Sequence, residues 1–125
     1  MTVLVDSWAW IEYWSGAPHA DQAGSYIEGE EEAIVSTINL AEIYHWVLLH
    51  YDEKTAEEKV ITVRRRCFII PVEEEIAVEA AKINHKTKKS LADSIIIATA
   101  NQVKAKILTG DPDFKKLRDI IYIGD

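Results

Sequence analysis

The sequence predicts an α/β protein, a three-layer α/β/α sandwich with a mostly parallel, doubly wound five-stranded sheet. Short β-branched runs alternate along the chain with longer amphipathic runs, as in strands joined by helical crossovers. The chain has 125 residues, of which 48% are hydrophobic, five are Gly and three are Pro. This length fits one compact domain spanning residues 1–125. In such sheets, ligands bind beyond the carboxyl ends of the strands.

The predicted strands are short apolar runs, each ended by a polar residue or a turn. They are Thr2–Val5, Ala33–Thr37, Phe68–Val72, Lys106–Thr109 and Ile120–Ile123.

The predicted helices fill the intervals between the strands, and right-handed crossovers then place them on both faces of the sheet. They are Ser7–Trp14, His19–Glu32 with its acidic tail, Asn39–His50, Asp52–Arg66, Glu73–Lys86, Ser90–Val103 and Asp111–Leu117. The helix from Ser90 to Val103 is nearly all apolar, which predicts that it is buried.

Several classes of protein are excluded by composition. The single cysteine, Cys67, rules out a disulfide framework and a cysteine-based zinc cluster, and we interpret it as an inert core residue. No apolar stretch approaches the roughly 20 residues needed to cross a bilayer. The segment Met1–Asp6 lacks the basic start of a signal peptide. We therefore expect a soluble, cytoplasmic protein that does not associate with membranes.

Charge is distributed unevenly along the chain. The net charge of −7 argues against nonspecific nucleic-acid binding by the whole surface. Residues 1–62 carry two basic and twelve acidic residues, whereas residues 63–125 carry twelve basic and nine acidic ones. A polyanionic substrate therefore remains possible.

Five carboxylates fall near the predicted carboxyl ends of the strands. Asp6 directly follows the first strand, and Asp111 and Asp113 follow the fourth. Glu42 lies a turn into the helix after the second strand, and Asp93 lies in the first turn of the helix that begins at Ser90. Because parallel strands end at one edge of a sheet, these side chains are candidates for a shared site.

Most of these acids also have a structural interpretation. Asp6 is a candidate cap of the first helix, and Asp111 before Pro112 is a strong N-cap with Pro at the first helical position. Ser90 and Asp93 have the spacing of a capping box.

Glu42 has no such structural explanation. The positions three, four and seven residues further on are His45, Trp46 and Leu49, which form a largely apolar stripe. A bare carboxylate on an apolar face costs several kcal/mol, so it must be protonated, paired or bound to a cation. Converging carboxylates raise one another's pKa, and oxygen-only ligands favour Mg²⁺ or Mn²⁺ as the cation that relieves the repulsion. A metal site and a set of caps and salt bridges both remain open at this point.

Four motifs in order along the chain resemble those of PIN-domain nucleases, most closely VapC-type ribonuclease toxins. The motifs are Val3–Ser7, Val35–Glu42, Leu91–Ala100 and Leu108–Phe114. Each motif alone is weak, but their order and spacing make the resemblance specific, and it covers essentially the whole chain.

The resemblance implies four catalytic, metal-binding acids, one auxiliary metal-binding acid and two supporting hydroxyl groups. They are Asp6, Glu42, Asp93 and Asp111, then Asp113, then Thr109 and Ser7. The metal would be Mg²⁺ or Mn²⁺. Thr109 would orient an acid or the substrate phosphate, and Ser7 would do the same or cap a helix.

The activity implied by the resemblance is cleavage of single-stranded or structured RNA. Proteins of this type form homodimers and are silenced by a small antitoxin protein. Two alternatives stay open: a catalytically inactive PIN-like module that binds RNA or protein, and a PIN nuclease for RNA processing.

Basic residues are the candidates for holding RNA. Lys115, Lys116 and Arg118 follow the fourth motif, so we predict them first as phosphate contacts, with a merely solvated surface as the alternative. The other candidates are Arg64–Arg66, Lys86, Lys88, Lys89, Lys104 and Lys106. Arg64–Arg66 are better interpreted as charges that complement a helix dipole.

Four tryptophans are many for this length. Trp8, Trp10 and Trp14 crowd the first helix, and Trp46 lies on the Glu42 stripe. We favour a dimer or antitoxin interface over stacking on bases, with at least one Trp in the core.

Overall fold

The structure, a computed structural model, describes all of residues 1–125. Its strands are β1 (Thr2–Val5), β2 (Glu32–Ser36), β3 (Phe68–Ile70), β4 (Lys106–Thr109) and β5 (Ile120–Tyr122). Its helices are α1 (Ser7–Ser15), α2 (Ala20–Ile27), α3 (Thr37–His50), α4 (Glu53–Arg66), α5 (Glu74–Thr87) and α6 (Leu91–Val103), with a 3₁₀ turn at Pro112–Phe114. None of these helices is long and apolar enough to span a membrane.

The five strands form one sheet in the order β3-β2-β1-β4-β5, and every neighbouring pair is parallel. The predicted α/β fold with a doubly wound sheet is confirmed, and the sheet is wholly rather than mostly parallel. The chain moves outward from β1 to β3 and then returns to place β4 on the other side of β1. The strand order therefore reverses between β1 and β4, where such folds place their ligands.

Alternating side chains of the strands divide the core into two layers. Val3 and Val5 pack with buried residues of α1, α2, α3 and α4 on one face. Leu4 and Ile107 pack against α6 on the other face, and α5 packs on α6. The result is the predicted three-layer sandwich.

The second helix is shorter than predicted. It ends at Ile27 rather than Glu32, so the acidic tail is a turn that leads into β2. The guanidinium group of Arg66 donates hydrogen bonds to four carbonyl groups of this turn, between Tyr26 and Glu31. Gly29 allows the turn to close, because a Cβ there would lie 2.7 Å from the carbonyl oxygen of Ser25.

Two other predicted elements are also shorter. The third strand ends at Ile70, because Pro71 lacks an N–H group and the N–H of Val72 donates instead to the Thr37 hydroxyl at 3.2 Å. The helix predicted at Asp111–Leu117 is a single 3₁₀ turn. Its segment is too short to repay the cost of helix nucleation.

The predicted burial of α6 is confirmed only for its middle, and the apolar stripe of α3 is only partly buried. Helix α6 is not wholly buried, because Leu91 at its start is 55% exposed and Val103 at its end is 38% exposed. The apolar stripe of α3 is divided, because Trp46 packs partly against the core whereas His45 and Leu49 are exposed. The buried face of α3 instead contains Asn39, Ile43 and Val47.

Candidate active site

Asp6 lies at the point where the strand order reverses. Its N–H group extends the β1–β4 ladder by donating to the Leu108 carbonyl at 3.1 Å, and the residue is only 4% exposed. The side chain makes no capping hydrogen bond to α1, so the capping interpretation of Asp6 was wrong. Its carboxylate instead accepts hydrogen bonds from the Thr109 hydroxyl at 2.8 Å and the Asn39 amide at 3.4 Å.

Asn39 connects β1, β2 and α3 beneath the site. Its side-chain oxygen accepts from the N–H of Ser36 at 2.9 Å, which completes a capping box at the start of α3. Its amide nitrogen also donates to the Ser7 hydroxyl at 3.0 Å, and Ser7 donates to Glu42 at 2.7 Å. One buried amide therefore orients Asp6 directly and Glu42 through Ser7.

Asn39 was not among the site residues predicted from the sequence. The available signal was its position three residues after Ser36, which is the spacing of a capping box. The structure also places the predicted hydroxyl groups of Ser7 and Thr109 against Glu42 and Asp6.

The other three acids gather where α6 begins and β4 ends. Carboxylate oxygens of Asp93, Asp111 and Asp113 all lie within 4.8 Å of one another. The local bonds expected of caps are present, since Asp111 accepts from the N–H of Asp113 at 2.9 Å and Ser90 accepts from the N–H of Asp93 at 3.1 Å. Capping and membership of a site are therefore compatible, because each carboxylate retains further lone pairs.

We call the five acids together the acidic centre. They are Asp6, Glu42, Asp93, Asp111 and Asp113.

The charges of the acidic centre act on one another. Burial raises the pKa of Asp6 to about 7. The hydrogen bond from Thr109 opposes this increase, and the negative charges of Glu42 and Asp111 add to it. Burial raises the pKa of Glu42, and the charges of Asp93 and Asp111 add to the increase. The pKa of Asp93 is raised by burial and by the charge of Asp111.

No basic side chain forms an ion pair with a carboxylate of the acidic centre. The ion pairs of the structure within 4.0 Å join His19 to Asp125 and Lys82 to Glu79. An oxygen-only set of carboxylates, crowded together and unpaired, fits a hard divalent cation such as Mg²⁺ or Mn²⁺. The observation thus favours the metal site over the salt bridges that the sequence left open.

Two of the three basic residues predicted after Asp113 lie away from this centre. Lys116 and Arg118 line a cleft of about 390 Å³ with Ala105 and Ile120, at the amino-terminal ends of β4 and β5. Lys115 donates to the Asp125 carbonyl at 3.0 Å. Its Nζ also lies 5.4 Å from the ring of Tyr122, so Lys115 lies at the carboxyl end of β5. Phosphate contact by these three residues stays a prediction, and Lys116 and Arg118 lie at the opposite edge of the sheet from the acids.

The tryptophans have divided roles. Trp10 is fully buried, which confirms that one Trp serves the core. Trp8 is partly buried against Gly110, where any Cβ would collide with the indole ring. Trp14 and Trp46 line a separate cleft with Lys59, whose Nζ lies 5.0 Å from the Trp14 ring. Cys67 is buried as expected, and burial raises the pKa of its thiol to about 11.

The chain belongs to the PIN domain family, whose model matches residues 3–120. No curated protein is significantly similar to it.

Solved structures of toxin–antitoxin proteins have a similar fold. A toxin–antitoxin complex from Klebsiella pneumoniae is 22% identical, with a TM-score of 0.80 and 98% of both chains covered. VapBC2 from Rickettsia felis, solved with a DNA fragment from its promoter, is 15% identical, with a TM-score of 0.75 and coverage of 98% and 97%. Mycobacterium tuberculosis VapC20, a toxin that cleaves the sarcin–ricin loop, is 13% identical, with a TM-score of 0.80 and coverage of 94% and 96%.

The raised pKa of Asp6 predicts an unusual pH dependence of stability in metal-free protein. In the folded state the Asp6 carboxyl keeps its proton until the pH approaches about 7, whereas the ordinary pKa of an aspartate is 3.8. The free energy of unfolding should therefore fall as pH rises from about 4 to about 7. Asp6→Asn should flatten this dependence and raise the unfolding temperature at about pH 8, measured in EDTA.

His19 also has a raised pKa, caused first by its hydrogen bond to Asp125, and its contribution is likewise lost as pH rises. Both proteins in this comparison keep His19, so the difference between them isolates Asp6. Identical pH profiles would show that the Asp6 pKa is not raised.

Asn39→Ala should weaken both the fold and cation binding. Loss of the amide leaves the buried N–H of Ser36 without its acceptor and removes the donor shared by Asp6 and Ser7, at a cost of about 1–3 kcal/mol in the free energy of unfolding. Misoriented carboxylates should lower Mn²⁺ affinity about 10- to 100-fold by calorimetry. The exposed Asn101 on α6 provides the control Asn101→Ala. Unchanged Mn²⁺ affinity in Asn39→Ala would refute the positioning role.

Proposed function

We propose that this protein is a Mg²⁺- or Mn²⁺-dependent endoribonuclease and the toxin of a type II toxin–antitoxin pair. The observation that carries the proposal is a set of unpaired carboxylates at the strand-order reversal in a chain of the PIN domain family. The solved toxins of similar fold support the toxin role, and the RNA-cleaving VapC20 toxin supports an RNA substrate.

The proposed catalytic acids are Asp6, Glu42, Asp93 and Asp111, with Asp113 as a further metal ligand. These residues would hold a divalent cation, which when bound would make water a stronger nucleophile and offset negative charge on the phosphate. Asp6 and Glu42 are held in place by Asn39, Ser7 and Thr109.

Neutral hydrogen-bond donors suit this task. The hydroxyl groups of Ser7 and Thr109 fix the carboxylates without cancelling their charge, whereas a lysine or arginine would compete with the cation. Each carboxylate keeps lone pairs for a metal ligand bond. No histidine lies among these residues, so the chain's own carboxylates are the available groups for accepting a proton from water.

The proposal extends to partners and location. We propose one PIN domain over residues 1–125, a homodimer, a small antitoxin protein that covers the acidic centre, and action in the cytoplasm. The alternatives are an RNA-processing nuclease and an inactive binding module. The intact acidic centre argues against the inactive module.

Cleavage of single-stranded RNA by purified protein should require Mg²⁺ or Mn²⁺ and stop in EDTA. Asp6→Asn and Asp93→Asn should each lower the rate about 100-fold or more, because each removes a charged ligand. Gel electrophoresis measures the rate, and end-labelling should detect 5′-phosphate and 3′-hydroxyl products.

The control for the charge change is Asp119→Asn, since Asp119 is exposed and its left-handed backbone is tolerated by asparagine. Full activity in Asp6→Asn and Asp93→Asn, with the fold intact, would exclude the assigned centre.

The tryptophans provide a test of the proposed interfaces. Trp14 and Trp46 line an open cleft, so we expect their fluorescence to become protected from a soluble quencher when the dimer forms or the antitoxin binds. Trp10 is already buried and serves as the internal reference. Single replacements by Phe would assign the signal to Trp8, Trp14 or Trp46. Equal quenching of the free and the bound protein would contradict an interface at these residues.

A further inference from the structure

We propose that Lys89 binds a phosphodiester group of RNA at the acidic centre. The inference rests on the proposed ribonuclease function and adds to it the residue that receives the substrate's negative charge. The ligand chemistry is a nonbridging phosphate oxygen of a single-stranded RNA backbone.

Lys89 lies at the rim of the acidic centre. It follows α5 and directly precedes Ser90, the N-cap of α6. Its Nζ donates to the carbonyl oxygen of Asp113 at 2.6 Å, and its charge lowers the pKa of Asp93 against the larger effect of burial. The ammonium group therefore lies beside two of the five acids.

The turn that carries Lys89 is fixed by its own hydrogen bonds. The Asn84 side chain donates to the carbonyl oxygen of Lys89 at 2.6 Å, and the N–H of Lys89 donates to the Thr87 hydroxyl at 3.3 Å. Lys88 has a left-handed backbone, with φ of 64°, and ends α5. Because the backbone is held on both sides, less conformational freedom is lost when the side chain contacts a ligand.

The ammonium group is available to an anion. It has three N–H donors, of which the structure assigns one to the Asp113 carbonyl. No carboxylate lies within the 4.0 Å of an ion pair. Lys89 thus leaves the acids free for a cation while presenting two donors beside them.

A positive charge at the acidic centre is needed for RNA to approach it. Five carboxylates repel a polyanion, and a divalent cation offsets only part of their charge. The basic side chains of Lys116 and Arg118 lie at the other edge of the sheet, and Lys115 is directed to Asp125 and Tyr122 at the end of β5. Lys89, by contrast, is in contact with Asp113 and acts on the charge of Asp93, so it is placed to attract a phosphate at the centre itself.

Lys89→Met tests the proposal, because methionine keeps an apolar stem of similar length and removes the charge. Lys86→Met is the matched control from the exposed last turn of α5, and Lys89→Arg tests rescue. Anisotropy measures binding of a labelled single-stranded RNA of about ten nucleotides, in Ca²⁺ and at several salt concentrations, with a gel to verify that the RNA is intact. Calorimetry measures Mn²⁺ binding without RNA, and parallel reactions in Mg²⁺ and Mn²⁺ measure cleavage by wild-type protein.

We expect Lys89→Met to weaken RNA binding about tenfold and to reduce the slope of log affinity against log salt by about 0.7, the value for one phosphate contact on a single strand. Its Mn²⁺ affinity should be unchanged or higher, since a like charge is removed. The RNA affinity of Lys89→Arg should stay within about threefold of the wild-type value. The RNA affinity of Lys86→Met should equal that of wild type.

Three results would overturn the proposal in distinguishable ways. If wild type cleaves RNA and Lys89→Met binds RNA as Lys86→Met does, Lys89 is not the phosphate contact and the nuclease stands. If Lys89→Met has both a lower Mn²⁺ affinity and a lower unfolding temperature, Lys89 instead has a structural role and stabilises the turn at Asp113. If wild type neither binds nor cleaves RNA in any of these metals, the proposed function fails and this inference fails with it.

Discussion

Electrostatic repulsion among carboxylates is the constraint on which the rest of this structure depends. Asp6, Glu42 and Asp93 all have raised pKa values, with burial as the first cause and the other acids of the centre adding to it. A protein built only for stability would have paired these groups with lysine or arginine. Here the hydrogen-bond donors around Asp6 and Glu42 are neutral, so the negative charge is retained for a ligand.

The sheet topology explains why acids so distant in the chain meet. Strands β1 and β4 are neighbours although about a hundred residues separate them. Asp6 directly follows β1, and Asp111 follows β4 after Gly110. Helices α3 and α6 begin at the same edge and contribute Glu42 and Asp93. Asn39 then joins β1 to α3 through its side chain, so the geometry of the centre is set by the same contacts that close the fold.

Much of the fold could be predicted from residue periodicity, because the spacing of apolar residues in a strand or helix indicates which of its faces is buried. The end of α2 could not be predicted, since Arg66 enforces it from 35 or more residues away. The acids were predictable from their order in the chain, whereas the roles of Asn39 and Lys89 depend on contacts across the fold. Lys116 and Arg118 were assigned by proximity in sequence, which does not specify the direction in which a short irregular segment turns.

The most direct test of the account is the position of a bound cation. Crystals of the protein grown with Mn²⁺ and measured near the manganese absorption edge locate the ion by its anomalous signal. The account predicts a peak between the carboxylates of Asp6, Glu42, Asp93 and Asp111, and its loss in Asp93→Asn. A fully ordered centre with no peak, at a Mn²⁺ concentration that saturates binding in solution, would contradict it.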